Sequence, residues 1–195
     1  MRSNARGVAL VDIVASTALA VIVMAMAVPV IGGTLEREHA LVGAQYLAGQ
    51  AQRARFEALR RSTSVALQVL IVGDRTSLRL FSDGNGNGVL QRDIDRGVDP
   101  PLTDSEWLDT HARDVSLRLN QGVSDIGGAG ALAKGDDPLR IGRTSLLVFS
   151  PLGGSTTGTL YVAAQRGPQL AVRMYGATGR LRVLRFNDQS RTWQP

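Results

Sequence analysis

The strongest constraint on this chain is an apolar run from Val8 to Ile31 that contains a single ionisable residue, Asp12. As a helix rising about 1.5 Å per residue, a run of this length reaches across a hydrocarbon core of roughly 30 Å. Met1 to Gly7, in front of it, carries Arg2 and Arg6 and no acid. Positive charge beside an apolar helix stays in the cytoplasm, so the remainder of the chain is expected on the far side of the membrane. Three kinds of segment have this layout: a cleaved secretory signal, a plain membrane anchor, and a leader cut just ahead of the apolar run. The small-x-small triplet Ala25-Met26-Ala27 suits the first. Neither of the first two explains Asp12, because a carboxylate inside an apolar helix costs about 2.5–3.5 kcal/mol and such residues are usually paired and functional.

Beyond the run, Pro29 removes a helical donor and Gly32-Gly33 weaken the next turn, which predicts a kink or partial unwinding. Helix then resumes. Leu41, Ala44, Ala48, Ala51, Ala54 and Ala58 recur every three or four residues, while Arg53, Glu57, Arg60 and Arg61 fall largely elsewhere. This is the pattern of an amphipathic helix whose small-residue stripe lets a sheet approach closely. From Ser64 the period becomes two. Val65, Leu67, Val69 and Ile71 share a strand face, and Gly73-Asp74 turns the chain back along Ser77–Phe81. Val115, Leu117 and Leu119 predict another strand face, followed by strands at 145–149, 159–164, 170–175 and 180–186 separated by glycine-rich links. A long helix followed only by strands predicts an α+β fold, with the transmembrane helix continuing into an amphipathic helix laid on an antiparallel sheet. The expected organisation is a leader at 1–7, a transmembrane helix at 8–33 and an α+β domain at 34–195.

Chemistry-bearing motifs are sparse. The chain has no cysteine, which excludes disulfides, thiolate metal sites and cysteine nucleophiles. His39 and His111 are its only histidines and belong to no short metal-ligand pattern. No nucleophile elbow, phosphate-cradling loop or paired-carboxylate motif occurs, so neither an enzymatic activity nor a cofactor is expected. Asp83, Asn85 and Asn87, followed by Gly88, give the opening of a calcium loop, but its twelfth position is Ile94, where a bidentate carboxylate belongs. A polar hairpin loop accounts for the same letters. Trp107 and Trp193 are isolated, as side chains that pack or cover a sheet edge are. Net charge is +3 over residues 1–71, −5 over 72–137 and +7 over 138–195. From Arg166 to Pro195 there are six arginines against Asp188 alone.

Gly7-Val8-Ala9-Leu10-Val11-Asp12 followed by an apolar helix resembles the prepilin N-terminal methylation motif, in which a dedicated peptidase cuts after the glycine. Counting Val8 as the first mature residue, Asp12 is fifth, the position of that family's signature acid, and Pro29 falls where pilin helices commonly carry proline. Phenylalanine is more usual at Val8, and glutamate at Asp12. The stretch from Ala54 to Arg61, the Asp83–Gly88 loop, and the Gly158-Thr159-Leu160 and Gly179-Arg180 segments are together similar to the GspH/FimT minor pilins and pseudopilins.

The resemblance implies cleavage between Gly7 and Val8, with Asp12 pairing in assembly with the new amine of a neighbouring subunit. It also implies residence in the inner membrane with a periplasmic domain, and other minor pilins and the prepilin peptidase as partners. The machine would be a type II secretion pseudopilus or a type IV pilus tip. Gly179-Arg180-Leu181-Arg182 further resembles the G-R-x-R element of FimT-type proteins, which implies non-specific DNA as a second partner; Arg185, outside that element on the same basic strand, is a further candidate contact.

Overall fold

The structure, a computed structural model, describes residues 5–128, 130–142 and 144–195, except for the side chains of 5–9 and 26–34. One helix, α1, runs from Ala5 to Arg61. Pro29 and Gly32-Gly33 do not interrupt it, contrary to the expected unwinding. Each weakens a single turn, and the hydrogen-bond ladder on either side is enough to carry the helix through.

Contacts divide the chain into Met1–Leu35 and a compact unit, Glu36–Pro195. In the first unit the large apolar side chains from Leu10 to Met24 are 56–67% exposed. Among the described residues no helix is long and apolar enough to cross a membrane. The span expected at 8–33 is therefore not carried by these residues alone. Only 10–25 of it is described with side chains, short of the roughly 20 apolar residues a span needs.

In the compact unit α1 packs on antiparallel sheets. Ala40, Ala44, Leu47, Ala51, Ala54 and Ala58 are fully buried on it, and Ala48 nearly so. Leu41, expected in this stripe, sits at its rim with 36% exposure, and Ala40 takes the inward place. The small stripe sets a short helix-to-sheet distance. An added Cβ at Gly43 would stand 2.5 Å from Val115 Cγ1.

The chain then forms β1 (Val65–Val72), β2 (Arg75–Ser82), α2 (Gln91–Asp95), β3 (Glu106–Trp107), α3 (Leu108–His111), β4 (Val115–Leu117), β5 (Val123–Ser124) and β6 (Ala131–Leu132). These are followed by β7 (Leu139–Arg140), β8 (Leu146–Phe149), β9 (Gly158–Ala164), β10 (Leu170–Tyr175), β11 (Arg180–Asn187) and β12 (Thr192–Gln194). The expected single sheet is instead divided. One sheet has the order β3-β2-β1-β8, a second has β12-β11-β10-β9-β4 with β7 also paired to β9, and β5-β6 form a small ribbon. A buried bond from Leu117 N–H to Thr76 Oγ1 (3.0 Å) joins the first two sheets.

Val65, Leu67 and Val69 of β1, Leu160 and Val162 of β9, and Leu170, Val172 and Met174 of β10 share one core with the helix. The outer faces have cores of their own. Ala66 and Phe81 are covered by Val89 and, partly, Ile94, and Tyr161, Ala171 and Phe186 by Leu119, Val123 and Leu132. Leu119 thus departs from the face it was expected to share with Val115 and Leu117. β4 ends at Leu117, and the chain folds over to cover the far side of the sheet.

Candidate functional site

The sequence singles out β11, and pairing sets its side-chain directions. Arg180 and Arg182 alternate with Leu181 and Val183, which pack against the helix-side core. The two arginines therefore project from the opposite face, exposed, about 6.6 Å apart by strand geometry. Arg185 differs. It follows Leu181 and Val183 on the helix side, opposite Leu170, so it does not extend the face of the other two.

Register extends the basic face across strands. Arg182 lies opposite Arg173, Arg180 opposite Tyr175, and Arg173 opposite Thr159, which in turn lies opposite Arg140. Arg182, Arg173 and Arg140 thus mark a row four strands wide, spanning about 14 Å. Arg173 is anchored in it: Nη1 donates to Ile126 O (2.7 Å) and Thr159 Oγ1 (2.8 Å), and the guanidinium lies 5.8 Å from the centre of the Tyr175 ring. Among the described residues none of Arg140, Arg180 and Arg182 forms an ion pair. Sequence reasoning missed Arg140, Arg173 and Tyr175, because strand pairing rather than spacing brings them together.

The borders of the row are fixed. Tyr161 OH donates to Asp125 Oδ1 (2.8 Å) and accepts from Ile126 N–H (2.8 Å), holding the loop that Arg173 grips. Burial, more than the carboxylate, raises the Tyr161 phenol far above its ordinary range. Trp193 packs on Phe186 and Tyr161 and donates from Nε1 to Ser124 O (2.8 Å). Gly179 has φ +60°, and a Cβ there would stand 2.7 Å from Gly153 O, so this turn requires glycine on steric grounds. Arg55 of α1 reaches its carbonyl at 3.3 Å.

The Asp83 loop spends its acceptors on its own backbone. Asp83 Oδ1 accepts from Asn85 N–H (3.1 Å) and Gly86 N–H (2.7 Å), and Oδ2 from Gly88 N–H (2.8 Å). Asn85 Oδ1 accepts from Asn87 N–H (3.2 Å), and Asn87 Nδ2 donates to Asp93 Oδ2 (3.1 Å). Asp99, unremarked in the sequence, is buried and accepts from Gly84 and Leu90 N–H, both at 3.0 Å. Among the described residues no group of three or more His, Cys, Asp or Glu is placed to hold a metal.

A polar cluster ties α1 to β3 and α3. Tyr46 OH donates to Glu106, Gln50 Nε2 donates to both at 2.8 and 3.2 Å, and His111 stacks on Tyr46 with ring centres 4.1 Å apart. Burial first, then the bond to Glu106, pushes the Tyr46 phenol up to about 12. On the neighbouring edge Arg75 lies 4.2 Å over Trp107 and pairs with Asp109, whose carboxyl it holds below its ordinary range.

Of the remaining sequence candidates, Gly7 and Val8 lie in helical backbone with side chains outside the description. Asp12 is exposed, and its backbone carbonyl accepts from Ser16 Oγ at 2.7 Å. Comparison with protein-family models, curated proteins and solved structures finds no match to this chain.

Proposed function

We propose that this chain is a minor pilin or pseudopilin of GspH/FimT type, a non-enzymatic subunit of a type II secretion pseudopilus or a type IV pilus tip. In this reading residues 1–7 are removed by a prepilin peptidase. Residues 8–33 hold the protein in the inner membrane, and the domain that follows lies in the periplasm and packs with other minor pilins. One observation carries the proposal. A single helix, α1, leads from the apolar run into a domain whose antiparallel sheets close on its alanine stripe. An exposed apolar helix rooted in a separate domain calls for a lipid or protein environment around its first half. Membrane fractionation tests this: the chain should resist alkaline extraction from inner membranes, with its domain accessible to protease from the periplasmic side. Recovery as a full-length soluble protein would contradict it.

A second role is favoured by the arginine row. Two exposed guanidiniums about 6.6 Å apart match successive phosphates of a nucleic-acid strand. Arg140 and Arg173 widen the track, and Tyr175 adds an aromatic surface. Contacts of this kind carry no sequence information, so DNA binding by this face would be non-specific. Replacing Arg180 and Arg182 together by glutamine should lower duplex affinity at low salt about tenfold or more and flatten its salt dependence by about two phosphate contacts. Equal binding by parent and variant, or none by either, would remove this role.

A further inference from the structure

We propose that Arg37 and Arg185 rim a seat for the head group of an anionic phospholipid, an inference that rests on the membrane-bound reading above. The groove between α1 and the ends of β10 and β11 has a volume of about 310 Å³, and its wall includes Leu41, Pro168, Leu170 and Val183 beside the two arginines. Arg185 stands where the alternation of Leu181 and Val183 would place a third apolar side chain, opposite Leu170. Both arginines line the groove, Arg185 from the strand and Arg37 from the helix.

Among the described residues neither arginine has an ion pair or a side-chain hydrogen bond. Glu36 and Glu38 flank Arg37 in sequence, and Asp188 follows Arg185, whereas Arg166 adds positive charge on the turn between β9 and β10. That turn is seated on the helix, since a Cβ on Gly167 would come 2.9 Å from Glu36 O. The groove is thus a fixed concavity with an apolar wall and two uncommitted guanidiniums.

This chemistry selects its occupant. Guanidinium groups bind phosphate with paired, charge-assisted hydrogen bonds. A small hydrated anion gains nothing from the apolar wall, whereas the glycerol region and first methylenes of a phospholipid do. Location agrees: Arg37 is the second residue of the compact unit Glu36–Pro195 and follows the last residue of the apolar run, Ile31, by six positions. A bilayer holding that run presents phosphate groups within a few residues of Arg37 along the chain. The row of Arg180 and Arg182 lies on the other face of β11 and is not part of this seat.

Full-length chain in neutral detergent micelles, titrated with short-chain phosphatidylglycerol, short-chain phosphatidylcholine and inorganic phosphate, tests the seat by hydrogen exchange. Phosphatidylglycerol should saturate and protect amides around 37–41 and 183–185, and neither other probe should. Arg37→Gln with Arg185→Gln should weaken that protection about tenfold or more, whereas Arg180→Gln with Arg182→Gln should leave it unchanged. Equal protection by both lipids, equal protection by inorganic phosphate, no protection by phosphatidylglycerol, or indifference to the Arg37 and Arg185 changes would each overturn the proposal. The micelle assay does not require the apolar run to span a bilayer, so its outcome is separable from the fractionation result.

Discussion

Substituting alanine for Gly43 is expected to destabilise the domain, while the same substitution at Gly49, on the same helix, is expected to stabilise it. At Gly43 the new methyl would lie 2.5 Å from Val115 Cγ1 and 3.3 Å from Ala112 Cβ. Valine is branched at Cβ and has little rotameric freedom with which to retreat, so the helix must shift against the sheet. Overpacking of this kind costs about 1–3 kcal/mol, which in a chain of this length lowers the melting temperature by about 2–12 °C. At Gly49 nothing lies within 4 Å of the added methyl. There the change only replaces a poor helix former by the best one, a gain of about 0.5–1 kcal/mol. Thermal melts of the full chain in detergent, followed by circular dichroism, check both signs. Equal effects at the two positions would mean that the helix does not approach the sheet as closely as Gly43 requires.

That helix was also the most legible element in the sequence, because its period survives over many turns. Ala44, Ala48, Ala51, Ala54 and Ala58 are all buried, as their spacing predicts. The hairpin of β1 and β2 was equally plain, with Gly73 at φ +60° in its turn. Long strands were legible for the same reason: β9, β10 and β11 fall within a residue of their expected limits. The two-residue strands were not, since a pair of residues has no period to detect. The division into two sheets was hidden as well. It follows from which strands pair across long stretches of sequence, β1 with β8 and β4 with β9, and nothing local to any of them announces its partner.

The candidate basic face was half legible. Alternation along β11 placed Arg180 and Arg182 together, and the same alternation, followed two residues further, separates Arg185 from them. Arg140 and Arg173 became visible only through register, because strand pairing connects positions far apart in sequence. In the Asp83 loop the glycines and asparagines announced a turn, and Gly86 and Gly88 do adopt positive φ. The buried carboxylate that closes the loop, Asp99, gave no sequence signal.

Asp12→Ala is expected to leave processing and membrane insertion intact while removing the subunit from its filament. The carboxylate lies on an exposed apolar helix and has no hydrogen-bond or ion-pair partner among the described residues, its carbonyl alone being engaged by Ser16. In the proposed filament it meets the new amine at Val8 of a neighbour, and the pair offsets the burial of both charges. Removing one member leaves the other buried and uncompensated, a loss of about 3–5 kcal/mol, or about a hundredfold or more in incorporation. Asp12→Glu, which keeps the charge, should restore most of it. Co-purification of tagged variants with the other minor pilins measures the effect. If the alanine variant co-purifies as the parent does, Asp12 has no pairing role.

Both assembly and membrane attachment follow from where the mature chain begins. Intact mass and N-terminal sequence of the protein recovered from its own membrane test this most directly. The account predicts a chain that starts at Val8, with Met1–Gly7 absent. A chain starting at Val28, after Ala25-Met26-Ala27, would contradict it in favour of an ordinary secretory signal, and retention of Met1 would contradict it in favour of a plain anchor.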